Sequence, residues 1–176
     1  DYVTLKDYLE RNKSKHENKV FYVTDEKQQA QYIKMFEEND LEAVILNVLI
    51  DNHFIQFLEM NEEGVTFCRI DSDISDSLKD SEKPDKKDMK QVQETLENLF
   101  KEALGNEKLK VQVENLKASS VPAMILLEEQ SRRMQDFSRY FGGQDISHMF
   151  PQEEILVLNN NNSLIKTILK LKDIDD

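Results

Sequence analysis

At 176 residues the chain is long enough for one medium-sized core or two small ones. Its 35 acidic residues outnumber its 23 Lys and Arg, and the formal net charge of −12 excludes duplex nucleic acid as a partner, because the phosphate backbone would be repelled. A single cysteine, no visible signal peptide and no apolar run near the roughly 20 residues that cross a bilayer exclude a disulfide scaffold and a membrane partner, and point to a reducing, cytoplasmic setting.

The chain opens at Asp1 and not at Met, and is expected to be a piece cut from something longer. Its first seventy residues alternate helix and strand signals. Strands are expected at Lys19–Thr24 (KVFYVT), Glu42–Asn47 (EAVILN) and Val65–Ile70 (VTFCRI), with helices at Glu26–Asn39 and Asp51–Met60 between them. Alternation of this kind predicts parallel strands covered by crossover helices, an α/β/α sandwich of three strands. Such sheets place ligands at the carboxyl ends of their strands. Here those ends read Thr24-Asp25-Glu26, Asn47-Val48-Leu49 and Asp71-Ser72-Asp73, without the glycines that wrap a phosphate.

From Asp71 to Lys87 the chain carries three apolar residues (Ile74, Leu78 and Pro84) among many charges, which predicts a linker or docked loop. Beyond it, Met89, Val92, Leu96, Leu99, Phe100 and Ala103 share one helical face, and Gly105 supplies a stop. Leu109, Val111 and Val113 alternate as in a half-buried strand, and Ala123–Leu127 forms another after Pro122. Glu128–Phe141 reads as a helix ending at Gly142-Gly143, Ile155–Leu158 as a strand and Leu164–Leu171 as a last amphipathic helix. The expected fold class is therefore α/β followed by α+β, the second unit a small sheet packed with helices. Asn159–Asn162 reads as a turn and helix cap.

The residues that could do chemistry each have a plainer reading. Asp71-Ser72-Asp73-Ile74-Ser75-Asp76 with Glu82 resembles a calcium loop, but Asp76 stands where the sharp turn needs Gly, so a solvated acidic segment is expected. His16, His53 and His148 lack metal-ligand spacing. Cys68 lies inside a strand beside Arg69, which points to the opposite face, and reads as a small buried hydrophobe. Glu128 and Glu129 read as acids of a first helical turn. Neither a Walker loop nor a G-x-G-x-x-G run is present, and no catalytic constellation emerges.

Two amphipathic stretches remain. In Asp51–Met60 the residues Phe54, Ile55, Phe57, Leu58 and Met60 nearly encircle the helix, so that Phe54 or Phe57 is left near solvent when one stripe faces the sheet. In Glu128–Phe141, Met134, Phe137 and Phe141 form a stripe with Tyr140 beside it and Arg132, Arg133 and Arg139 as a basic edge. Such stripes are either core or adaptable binding surface, because Met and aromatics grip varied partners without fixed geometry.

These same residues carry a family resemblance. Tyr2–Asp51 (YVTLKDYLERN…NKVFYVTDEKQQAQ…LEAVILNVLID) and Asp51–Leu58 (DNHFIQFL) resemble the later part of the middle domain of the heat shock protein 90 chaperone family, bacterial HtpG type. Val121-Pro122-Ala123, SRRMQDFSRYF and FPQEEILVLNNNNSLIKTILKL resemble the start of that family's C-terminal domain. The resemblance is strong over residues 2–75 and 108–171 and divides the chain into a middle-domain α/β/α subdomain (1–75), a charged linker (76–87) and a C-terminal domain (88–176) without its last helices.

The resemblance implies an ATP-driven, dimeric parent that binds unfolded or partly folded client proteins. ATP and Mg would sit in an N-terminal domain ahead of Asp1, and the dimerising helices would follow Asp176, so the chain itself would hold no cofactor and no ATPase site. Client contacts map to His53, Gln56 and Phe57 on one helix, and to Met134, Phe137, Tyr140 and Phe141 on another. Two positions depart from the family: His53 stands where homologues carry Trp, and Arg133 where a homologue has an apolar residue. A structural or dimerisation module with both stripes buried is the alternative, and a small-molecule enzyme the third class.

Overall fold

The computed structural model describes residues 2–48, 50–74, 76–80, 86–129, 131, 133 and 154–175. They form two compact units, Asp1–Ser77 with Glu128–Gln152, and Leu78–Leu127 with Glu153–Asp176.

The first unit opens with α1 (Leu5–His16), whose N-cap Thr4 accepts a hydrogen bond from Asp7 N. It continues through β1 (Lys19–Val23), α2 (Ala30–Glu38), β2 (Val44–Ile45), α3 (Asp51–Asn61) and β3 (Thr66–Arg69). The sheet order is β2-β1-β3 with both pairings parallel, as the alternation predicted. Central β1 is buried on both faces, which is why its sequence is almost continuously apolar. Val20 and Tyr22 pack with Tyr8, Ile55, Val65 and Phe67. Phe21 points the other way and meets Phe36 of α2 edge to face at 5.0 Å.

Two elements are shorter than expected. The helix after β1 starts at Ala30 and not Glu26, because the Asp25 carboxylate accepts from Lys27 N and Gln28 N and folds that stretch into a turn. Edge strand β2 pairs over Val44–Ile45 alone, with Leu46 N continuing to Val23 O. Part of the acidic segment is docked: Ile74 is buried, and Leu78 is buried at the end of a 3-10 turn, Asp76–Leu78.

In the second unit, α4 (Lys86–Leu104), β4 (Lys110–Glu114), β5 (Ala123–Leu127), β6 (Glu154–Asn159) and α5 (Ser163–Asp175) follow in order. Central β6 runs parallel to β4 and antiparallel to β5. Leu96, Val111, Val113, Leu158 and Ile165 form the core, with Met89, Val92 and Phe100 against it. Gly105 takes φ +60° after α4, while Gly105 N reaches Glu102 O and Asn106 N reaches Lys101 O; this paired closure makes Gly the residue of choice there. The Asn run does more than turn the chain. Asn159 Oδ1 accepts from Leu116 N and Asn161 N, its Nδ2 donates to Ala118 O and Val121 O, and Asn162 Oδ1 accepts from Leu164 N at the start of α5.

One placement differs from the sequence reading. The stretch after β5 was expected to belong with the second sheet, but the described residues Glu129 and Arg133 bond to the first unit. Their charges explain it: their partners are Glu59, Tyr22 and two backbone groups of β3.

Candidate functional site

α3 presents two unlike sides. Asp51 fixes its start by accepting from Val48 N at 2.8 Å. At 3.6 residues per turn, Ile55 lies roughly opposite His53 and Phe57. Ile55 is fully buried against the sheet, whereas Phe54 is 49% exposed, Phe57 59% and Met60 86%. His53 and Gln56 are exposed on the same outer side. The structure thus gathers His53, Gln56, Phe57 and Met60 on one open face, with Phe54 exposed on its flank. Ile45, Val48 and Ile50, exposed on the approach to α3, extend the apolar surface.

Phe54 also borders a groove of about 860 Å³ between the start of α1, β2 and α3, lined by Tyr2, Val3, Leu5, Val44 and Leu46. The other predicted set, Met134, Phe137, Tyr140 and Phe141, lies outside the described residues, as do Arg132, Arg139 and His148.

The carboxyl ends of the strands are filled by the chain's own side chains. Gln29 Oε1 accepts from Thr24 N at 2.8 Å and Asp25 N at 2.9 Å. Gln29 Nε2 donates to Asp71 Oδ1, and Arg69 binds the same carboxylate through Nε at 2.7 Å and Nη2 at 2.9 Å. Arg69 and Asp71 are both buried, so Asp71, the first residue of the calcium-like run, is a structural anion. Cys68 Sγ is buried 3.1 Å from Ser72 Oγ, and burial pushes its thiol pKa up to about 11, fitting the inert role expected of it. Among the described residues no group of three His, Cys, Asp or Glu side chains is placed to hold a metal ion, and no helix is long and apolar enough to cross a membrane.

Sequence reading missed a charged cluster beside α3. Arg133 binds Glu59 through two bonds, Nη1 to Oε2 at 2.7 Å and Nη2 to Oε1 at 3.0 Å, and Glu129 through Nε at 2.7 Å. Glu129 also accepts from Tyr22 Oη at 2.6 Å and Arg69 N at 2.7 Å. Burial opposes the charge on Arg133, but the hydrogen bonds it donates to Glu59 and Glu129 more than offset this and raise the pKa further above the ordinary arginine value. Burial, with Glu129 adding to it, raises that of Tyr22. Arg133 is therefore tied down and is not a free basic edge; Glu129 is a bridging acceptor and more than a first-turn acid. The four-residue spacing of Glu129 and Arg133 was the available signal.

The described residues thus combine a three-stranded parallel α/β unit, with an apolar outer helix, and a small mixed three-stranded sheet. The sequence profile of the family described as Hsp90 protein matches residues 1–176, and the chain belongs to that family. It is similar to the chaperone protein HtpG of Porphyromonas gingivalis, 29% identical over 152 residues that cover 84% of this chain and 22% of the relative. The HtpG of Bacteroides fragilis is 28% identical over 178 residues, 96% of this chain and 26% of the relative. That of Bacteroides thetaiotaomicron is 29% identical over 154 residues, 84% of this chain and 22% of its own length. The chain thus spans 22–26% of the length of these relatives.

Proposed function

We propose that this chain supplies client-binding surface to an ATP-driven, dimeric, cytoplasmic chaperone, and that the outer face of α3 around His53, Gln56 and Phe57 contacts unfolded or partly folded proteins. The observation that carries this reading is the exposure of Phe54, Phe57 and Met60 on a helix whose Ile55 is fully buried. An unfolded client offers no fixed hydrogen-bond pattern, so affinity must come from non-directional apolar burial, which aromatic and Met side chains supply. Met134, Phe137, Tyr140 and Phe141 form the second part of the proposed surface. ATP, Mg and hydrolysis are assigned to other parts of the parent, and nucleic acid and membrane are not partners. The occupied amides of Thr24 and Asp25 support the absence of a phosphate site at that end of the sheet.

Replacing Phe57 and Met60 with Ser tests the reading. Suppression of aggregation of a heat-denatured test protein should fall while the melting temperature stays unchanged; undiminished suppression overturns the proposal. A chain that suppresses nothing and forms a stable dimer in light scattering favours the structural module instead. Calorimetry with Mg-ATP should give no heat above dilution, and micromolar binding would refute that part.

A further inference from the structure

The apolar outer face of α3 is bordered by charge of one sign. Between Lys34 and Arg69 the chain carries no Lys or Arg, while Glu42, Asp51, Glu59, Glu62 and Glu63 fall in the same stretch. Three of these acids are occupied within the unit: Glu42 holds Arg11, Asp51 holds Val48 N and Glu59 holds Arg133. Glu62 and Glu63 differ from them. They follow Met60 at the carboxyl end of α3, both are exposed, and neither has an ion-pair partner among the described residues. The end of a helix carries partial negative charge of its own, which adds to theirs.

The arginines that reach this part of the unit do not offset that charge. Arg133 is bound to Glu59 and Glu129, and Arg11, which lines the groove beside Phe54, is bound to Glu42 at 2.6 Å. Apolar burial by itself accepts any apolar segment, so the charges beside the face decide between segments. An acidic segment meets like charge at Glu62 and Glu63. Lys or Arg meets opposite charge there, lays its aliphatic stem along the apolar face, and is attracted to the ring face of an exposed phenylalanine such as Phe57. Salt screens exposed charges beyond about 8 Å, so these nearest acids set the choice more than the net charge of the whole chain does.

We propose that the outer face of α3 prefers client segments in which apolar residues are flanked by Lys or Arg, with Phe57 and Met60 taking the apolar part and Glu62 and Glu63 reading the charge. The preference rests on the reading of α3 as a client surface and adds to it the chemistry of the segment.

Three fluorescein-labelled peptides test it. They share one apolar core of leucine, phenylalanine and alanine and differ only in flanks of lysine, glutamine or glutamate. In anisotropy titrations of the 176-residue chain at about 50 mM salt, the lysine peptide should bind about tenfold or more tighter than the glutamate peptide, with the glutamine peptide between them. In the Glu62→Gln/Glu63→Gln chain that ratio should fall to about threefold or less, while the glutamine peptide binds as before and the melting temperature is unchanged. Equal binding of the lysine and glutamate peptides, or a ratio that survives in this variant, overturns the preference. The client surface itself is read separately from the uncharged glutamine peptide, which Phe57→Ser/Met60→Ser should weaken about tenfold. A glutamine peptide that does not bind, or that binds the Phe57→Ser/Met60→Ser chain equally well, overturns the client surface and the preference with it.

Discussion

Arg133 holds both carboxylate oxygens of Glu59, at 2.7 and 3.0 Å, although 74 positions of chain separate the two residues. Removing the guanidinium with Arg133→Ala leaves two carboxylates and the carbonyl of Phe67 without their cation. A buried pair broken in this way costs about 3–5 kcal/mol. Here the side chains are 18% and 24% exposed, so water recovers part of the loss. A destabilisation of about 1–3 kcal/mol is expected in urea unfolding followed by the signal of the first unit. A change under about 0.5 kcal/mol would show that the cluster is only a surface contact.

His16 makes the first unit sensitive to mild acid. Its Nδ1 lies 2.6 Å from Lys19 O, to which a neutral ring donates, and its ring packs against Tyr8 and Phe21. Among the described residues its buried Nε2 has no hydrogen-bond partner. Burial lowers its pKa, the hydrogen bond to Lys19 opposes this, and the Lys15 charge adds to it. Between the unfolded value of 6.5 and the lower folded value, the unfolded chain takes the proton and the folded one resists it. Stability should therefore drop as pH falls through that window and stay reduced below it. Urea midpoints at about pH 7.5 and about pH 5, compared between the unmodified chain and His16→Phe, check the sign; the variant should lose part of the difference.

The two sides of α3 should respond oppositely to truncation. Ile55 is fully buried, and Ile55→Ala should cost about 2–5 kcal/mol. Phe57→Ser, on the outer side, should stay within about 0.5 kcal/mol of the parent. Thermal melts of the two single variants decide it, and a Phe57 variant as unstable as the Ile55 one would mean that the outer face is covered.

Cys68 should be slow toward thiol reagents. Burial raises its pKa to about 11, with the Ser72 hydrogen bond opposing, so little thiolate exists near neutrality. Reaction with Ellman's reagent at about pH 8 should be slow in the folded chain and fast in urea. Equal rates in both conditions would place the thiol at the surface.

Local signals carried much of the architecture. Alternating apolar strands and amphipathic helices in Lys19–Ile70 suffice for a parallel sheet, because only crossover connections join strands in that order. Gly105 marked the end of α4 for a similarly local reason, the left-handed residue such an end requires. The exposure of Phe54 or Phe57 was also legible, since a helix with apolar residues almost all round cannot bury every one against a single sheet. The start of α2 was misread because Asp25 competes for the first amides of the helix, and a propensity count does not register that competition.

The sequence by itself determined the strand-and-helix order, the double-sided burial of β1 and the lack of a glycine-rich phosphate loop, since these depend on residues near one another in the chain. Only the tertiary structure decided that Glu129 and Arg133 join the first unit, that the Arg69–Asp71 pair and Gln29 fill the end of the sheet, and that the β3 edge is closed by side chains. The reason is physical: a charged side chain carries no mark of its partner, and a pairing across 74 positions exists only after the strands and helices between have fixed where each backbone group points.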